Sequence, residues 1–291
     1  GVVLGGSTAS RAMSLGGTNS AVTGVNLTDA ELTKITTTAT GRITVGDTSQ
    51  TGNITFTTAT PATTGGAAIY AVQSTAGGGG IVLDDDAAGT GATALAGGSS
   101  VVNLTAGTAG ITATNANNAF AEIATTGATV TLNTTGTIGT NANRIQFADN
   151  TSTAQQRVVI GSTNQASNVS LDGLGTLTLG NITGSTANTV VDVTARAGLN
   201  VDGTITTGTG TIVLGADLKA DGTADNGTGL LNLLAGSSVT SANTTTSAIT
   251  LRGADIDVDT SGGVIVNASA AGGGVVLGGS TASRAMSLGG T

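Results

Sequence analysis

The sequence predicts an all-β protein: a right-handed parallel β-helix (β-solenoid) built from short strands. Three observations lead there. Short apolar–polar–apolar triplets recur along the chain. Glycine and small polar residues separate them. An eighteen-residue word occurs twice without a difference, 273 residues apart.

The triplets include Ile43-Thr44-Val45, Ile54-Thr55-Phe56, Val130-Thr131-Leu132, Ile145-Gln146-Phe147 and Val169-Ser170-Leu171. Leu177-Thr178-Leu179, Leu199-Asn200-Val201, Ile249-Thr250-Leu251 and Ile256-Asp257-Val258 continue the series. Alternation at period two marks a half-buried strand. The Gly, Thr, Ser, Asn and Asp between triplets are turn formers. The separations Val169 to Val190, Val191 to Ile212, Leu177 to Leu199 and Ile256 to Val276 cluster near 21 residues. A repeat of that length holds two or three strands and reads as one rung. A 273-residue unit would then hold about thirteen rungs, on the order of 60 Å at the usual strand spacing.

Composition agrees. Of 291 residues 48 are Gly, only 9% are charged and 1% aromatic, yet 38% are hydrophobic. An average domain has roughly 25% charged residues and about 7% Gly. The core must therefore be built from Val, Ile, Leu and Ala, which suit a narrow regular interior. Plentiful, evenly spread aliphatics argue against disorder. No apolar run approaches the roughly 18 residues of a membrane helix. Pro61, the single proline, belongs at a corner. Residues 26–35 break the pattern: Thr28 and Glu31 have capping-box spacing and predict one helical turn at a corner, although Leu27, Leu32 and Ile35 suit a strand equally. Residues 86–100, rich in Gly and Ala, read as a looser loop.

The duplicated word is GVVLGGSTASRAMSLGGT, residues 1–18 and again 274–291. One explanation is duplication of a single coil. The stronger one is a tandem array: residues 1–273 form one unit of a continuous solenoid and 274–291 start the next. On that view the two words share a local backbone in equivalent rungs. Both ends of the segment then present bare strand edges, and the molecule continues past them.

Residues 26–35 (NLTDAELTKI), 41–46 (GRITVG) and 52–56 (GNITF) resemble filamentous haemagglutinin-like bacterial exoproteins. The remainder is similar in style, through its Gly, Thr and aliphatic triplets. The resemblance implies a β-helical surface fibre of the two-partner-secretion type, exported to the bacterial cell surface. The tandem reading makes further copies of the repeat its end-to-end partners. Contacts with a host or neighbouring cell, or with glycans, would be made by regions outside this chain.

Chemistry is sparsely represented. The chain has no His, Cys or Trp, so the usual general bases, thiol nucleophiles and zinc ligands are missing. The net charge of −8, with nine basic residues scattered, argues against nucleic acid. Three acidic groups are candidates for a cation or an acid pair. Asp84, Asp85 and Asp86 follow the strand Ile81-Val82-Leu83 and read as a solvated acidic corner. Asp255, Asp257 and Asp259 alternate with Ile256 and Val258 and read as an outward polar row. Asp217, Asp221 and Asp225 with Asn226 loosely match a calcium loop but lack its ligand order and closing Glu. Gly77-Gly78-Gly79-Gly80 has no Lys-Ser/Thr after it and is not a phosphate loop. No catalytic, cofactor or metal residue is therefore expected, and no enzyme activity. The expected function is a structural or adhesive extracellular shaft. Two alternatives remain. One is a β-helical protein that binds or cleaves polysaccharide. The other is an ice-binding solenoid using Thr rows such as Thr129/Thr131, Thr176/Thr178 and Thr204/Thr206.

Overall fold

The computed structural model describes residues 1–17, 22–61, 67–86, 91–149, 156–161, 165–184 and 188–287. Within them lie 27 strands and one helical turn. The strands form two sheets, of 13 and 14 strands, and every pairing between named strands is parallel. Successive strands alternate between the sheets for much of the chain, so it winds as a parallel β-helix. Among the described residues no helix is long and apolar enough to cross a membrane.

All nine triplets fall within strands. In most of them the outer two residues are buried and the middle one faces outward, as in Thr129–Asn133, where Val130 and Leu132 are inside. Pairing aligns like with like from rung to rung. Val169 stands beside Val191, then Ile212, Ile249 and Val275. Leu171 begins a parallel column through Val193, Leu214, Leu251 and Leu277. A one-residue slip would turn every such side chain out of the core, so these columns fix the register. The interior is one continuous cluster from Met13 to Leu251. Phe56 and Phe147 are its largest fully buried side chains.

The rung is not constant. Partners lie 21 to 23 residues apart from Val158↔Leu179 to Val191↔Ile212. Elsewhere the gap is longer: Val102 pairs with Val130, Leu199 with Leu231, Ile212 with Ile249 and Val2 with Ile43. Strands must match their neighbours in length, whereas corners face water and accept insertions at small entropic cost. The longest pairing path in the 13-stranded sheet therefore holds ten strands, not thirteen. Ile256 and Val276 are not rung neighbours at all but lie in different sheets.

Residues 91–100 depart from the loop expected of them. Leu95–Gly98 is a strand with Ala94 and Leu95 buried, paired with Ile123–Thr125. After Leu95 the strand reads Ala-Gly-Gly, which hid the alternation that marks the other strands. Residues 87–90 lie outside the described part. Pro61 lies outside the strands.

Thr28 caps the helical turn Asp29–Leu32 with both bonds of a capping box: Glu31 N–H donates to Thr28 Oγ1 at 3.3 Å and Thr28 N–H to Glu31 Oε2 at 2.9 Å. Leu32 is buried, and Val25, Leu27 and Ile35 pack partly against the core. The strand Gly24–Leu27 lies along Ala12–Gly16 and ends the 14-stranded sheet. Gly24–Leu27 and the helical turn thus lie over Ala12–Gly16, whereas Val2–Leu4 is paired on one side only and ends the 13-stranded sheet. Apolar side chains at four positions of 25–35 make that covering favourable.

The duplicated words share part of their backbone. Each contains a strand, Val2–Leu4 and Val275–Gly279, and each closes the same turn, with Arg11 N–H on Thr8 O and Arg284 N–H on Thr281 O, both at 3.2 Å. Their seats differ. Val2–Leu4 belongs to the 13-stranded sheet and Val275–Gly279 to the 14-stranded one. Ala12–Gly16 is a strand, whereas residues 285–287 are not. Residues 18 and 288–291 lie outside the described part.

Corners set the glycine requirement. Gly110 has φ +86° where the chain enters its strand, and a Cβ there would collide with the Thr137 carbonyl oxygen of the next rung. Gly110→Ala is expected to cost about 1–3 kcal/mol, measured by urea unfolding. Gly78, where an added methyl group would meet nothing within 4 Å, is the control: Gly78→Ala should be near neutral.

Candidate functional site

The acidic residues do not gather into a cation cage. Asp217 is buried with φ +59°, and its Oδ1 accepts the backbone N–H groups of Asn226 (3.0 Å) and Gly227 (2.7 Å). Asp221 Oδ1 accepts the N–H and hydroxyl of Thr223. These carboxylates close loop 217–229 on itself, so its calcium-loop spacing reflects turn formation. Asp255 and Asp257 are exposed on the strand Asp255–Val258. Asp259 follows that strand, and hydrogen bonds from the Ser261 hydroxyl and N–H hold its carboxyl below the usual range. Gly77–Gly79 forms a corner in which Gly77 O accepts the Thr108 N–H of the next rung. Among the described residues no three His, Cys, Asp or Glu side chains are placed to hold a metal ion.

Asp85 corrects the solvated-corner reading. It has no exposed surface, and its carboxylate accepts the side-chain amides of Asn115 and Asn118 (2.6 Å for Asn118). Asp84 accepts Asn115 Nδ2 at 3.1 Å and Asp86 N–H at 3.0 Å. The loop around Asn115–Asn118 has replaced water over this corner.

Asp85 is the edge of a larger buried polar cluster that sequence reasoning missed. Its backbone is an outward column on the 14-stranded sheet: Gln146, then Asp172, then Thr194. Glu122 lies before it and accepts the Gln146 N–H at 2.6 Å. Asp172 accepts the Thr194 hydroxyl at 2.7 Å and Gln146 Nε2 at 2.8 Å, with Arg196 at 3.7 Å. Glu122, Gln146 and Asp172 are essentially without exposure. Burial pushes the Glu122 carboxyl up to about 8, with the nearby Asp85 and Asp172 charges adding to the rise against the Gln146 N–H. Burial likewise raises Asp172, against the pull of its hydrogen bonds and of Arg196 and Arg144.

Arg144 fastens the second half of the cluster. Its guanidinium meets the Asp192 carboxylate through both terminal nitrogens, at 3.1 and 2.9 Å. It also donates to the carbonyls of Leu171, Asp192 and Ala220. Ala220 belongs to loop 217–229, so this arginine pins that loop over the sheet. Arg196 donates to Asn118 O at 2.8 Å and does the same for loop 115–120.

The signal that could have found these residues was present. Glu122, Arg144 and Asp172 are lone charges inside apolar strand text, as in Ala121-Glu122-Ile123 and Arg144-Ile145-Gln146. In a chain with so few charges, such placement marks burial. The cluster offers no open cleft, and each carboxylate is engaged by protein donors. Its chemistry is that of a clamp that holds two loops onto the shaft.

Thr129, Thr131, Thr178, Thr204 and Thr206 lie on strands of the 13-stranded sheet and Thr176 just precedes one; the three rows do not stack on one another, although Thr206 stands between Thr183 and Thr240. Thr131 stands between Asn103 and Val159, and Thr178 between Arg157 and Asn200. Comparison with protein-family models, curated proteins and solved structures returns no match.

Proposed function

We propose that this chain is a unit of an extracellular bacterial surface fibre whose task is mechanical reach. The observation that carries this is the in-register stacking of aliphatic columns through the whole solenoid, from Val169 to Val275 among others. Stability in such a stack adds rung by rung, so length can grow without new chemistry. The 273-residue recurrence supports growth by fixed increments. The resemblance of residues 26–56 to haemagglutinin-like exoproteins supports the surface location. The outer face has one Tyr, with Arg42 over the Tyr70 ring at 4.7 Å, and few other anchors of the kind that concentrate affinity. Specific adhesion then belongs to regions outside this unit, or to weak contacts summed over copies.

Ice binding needs repeated Thr at constant spacing, and beyond the short column Thr183, Thr206 and Thr240 the outward columns are mixed, as at Thr131 and Thr178, which weighs against it. Carboxylates spent on loop closure weigh against polysaccharide cleavage. The test is electron microscopy of chains carrying one, two and three units in tandem. Each unit brings ten stacked strands and as many spacings, so each should add on the order of 50 Å. A compact particle whose length ignores unit number overturns the proposal.

A further inference from the structure

In a stacked solenoid each rung touches only the rung before it and the rung after it. The strand ladders follow that rule here, but arginine side chains break it. Five rungs of the 14-stranded sheet follow one another through Ile123–Thr125, Ile145–Phe147, Asn168–Gly173, Val190–Ala195 and Ile212–Ala216. Arg144 stands just before the second of these strands. It donates to Leu171 O on the third, to the carbonyl and carboxylate of Asp192 on the fourth, and to Ala220 O beyond the fifth. Arg196 stands just after the fourth strand. It reaches back to Asn118 O, in the loop that leads into the first, at 2.8 Å, and lies 3.7 Å from Asp172 on the third. Each of these two side chains therefore ties rungs three apart. On the 13-stranded sheet Arg157 reaches past Leu177–Thr183 to Asp202, but that pair is exposed and adds little.

The rungs ahead of this block are built differently. Between Arg42 and Arg144 the sequence has no basic residue. Among the described residues the side-chain bonds there join adjacent rungs, as Gln73 Nε2 to Gly52 O and Asn115 Nδ2 to Asp84. Strands lie across the long axis, so tension along that axis falls on the outermost rung, and its ladder opens before the next one is loaded. A rung tied to another three places further in cannot leave in that way. Arg196 holds the start of the block from within, and Arg144 holds its end from within. Charge-assisted bonds are about twice as strong as neutral ones, and the burial of Arg144 and Asp172 keeps competing water away.

We propose that residues 118–220 are a mechanical lock, a five-rung block that resists axial peeling as one unit while the untied rungs of residues 43–113 yield singly. Arg284 donates to the neutral carbonyls of Gly227 and Ala254, which lengthens the block toward that side without changing where it begins. The proposal rests on the reading of the chain as a load-bearing shaft and adds where that shaft holds.

The test is optical-tweezers stretching of the whole chain held by its two ends. The untied rungs are expected to come away in steps of about 30 residues, on the order of 100 Å each. The block then gives way in one step of at least the extended length of about 100 residues, on the order of 350 Å. Arg196→Met removes the tie to Asn118 at a part-exposed position, so the block begins at Arg144. The long step should shorten by about 26 residues, on the order of 90 Å. Arg42→Met is the control, because its guanidinium lies over the ring of Tyr70 on the adjacent rung, and the long step should keep its length. A chain that peels rung by rung from end to end overturns the proposal, and so does a long step that Arg196→Met leaves unchanged. A second measurement applies no force. In native-state hydrogen exchange the strands from Ile123–Thr125 to Ile212–Ala216 should share one opening with one denaturant dependence, while Ile54–Thr57 and Gly80–Asp84 open separately and at lower free energy. Exchange graded rung by rung across the block also overturns it. Tandem chains that lengthen by a fixed step in electron micrographs would leave the shaft reading standing in either case.

Discussion

Glu122→Gln is expected to stabilise the protein in alkali and to change it little at pH 5. Burial raises this carboxyl to about 8 from an ordinary 4.5. Between those values the folded chain holds a proton that the unfolded chain has released. The folded state then binds more protons, so stability falls as pH rises from about 4.5 to about 8 and levels off above. The whole interval corresponds to on the order of 5 kcal/mol lost by pH 9. Glutamine stays neutral and keeps an acceptor for the Gln146 N–H. Urea unfolding of both proteins at pH 5, 7 and 9 should show curves that separate as pH rises, with the variant the more stable. Asp172 is raised in the same sense, so the variant should retain some slope. Parallel pH curves would mean that Glu122 is solvated in both states.

The strands were legible because alternation and burial are the same fact. A residue such as Val130 or Leu132 is apolar because the strand turns it inward. Register was legible only where the corners are short, around Val169, Val191 and Ile212. Elsewhere corners of varied length break the spacing without disturbing the stack, as between Ile212 and Ile249. The buried charges were the least legible. Spacing rules for metal and acid sites direct attention to clustered carboxylates, and Asp217 and Asp221 prove to be turn formers while Asp225 faces Lys219. Glu122, Arg144 and Asp172 are dispersed over fifty residues, and only stacking the rungs brings them together. Asp85 looked solvated because the loop that covers it is thirty residues further on.

Arg144→Ala is expected to destabilise the protein by about 3–5 kcal/mol, the cost of breaking a buried ion pair by removing one member. Arg144 is 4% exposed and Asp192 is largely covered. The truncation strands the Asp192 carboxylate and takes the donor from Leu171 O and Ala220 O. Loop 217–229 loses its tie to the sheet at Ala220, although the Asp217 bonds that close it internally persist. Two readouts follow. Chemical denaturation should show the full loss, and Asp192→Ala added to Arg144→Ala should cost much less than the two single changes summed. Hydrogen exchange should speed up in residues 217–229 while the core column Val193, Leu214 and Leu251 stays protected. A loss below about 1 kcal/mol is the value of an exposed pair. It would mean that water reaches Arg144 and that the clamp does not hold the loop.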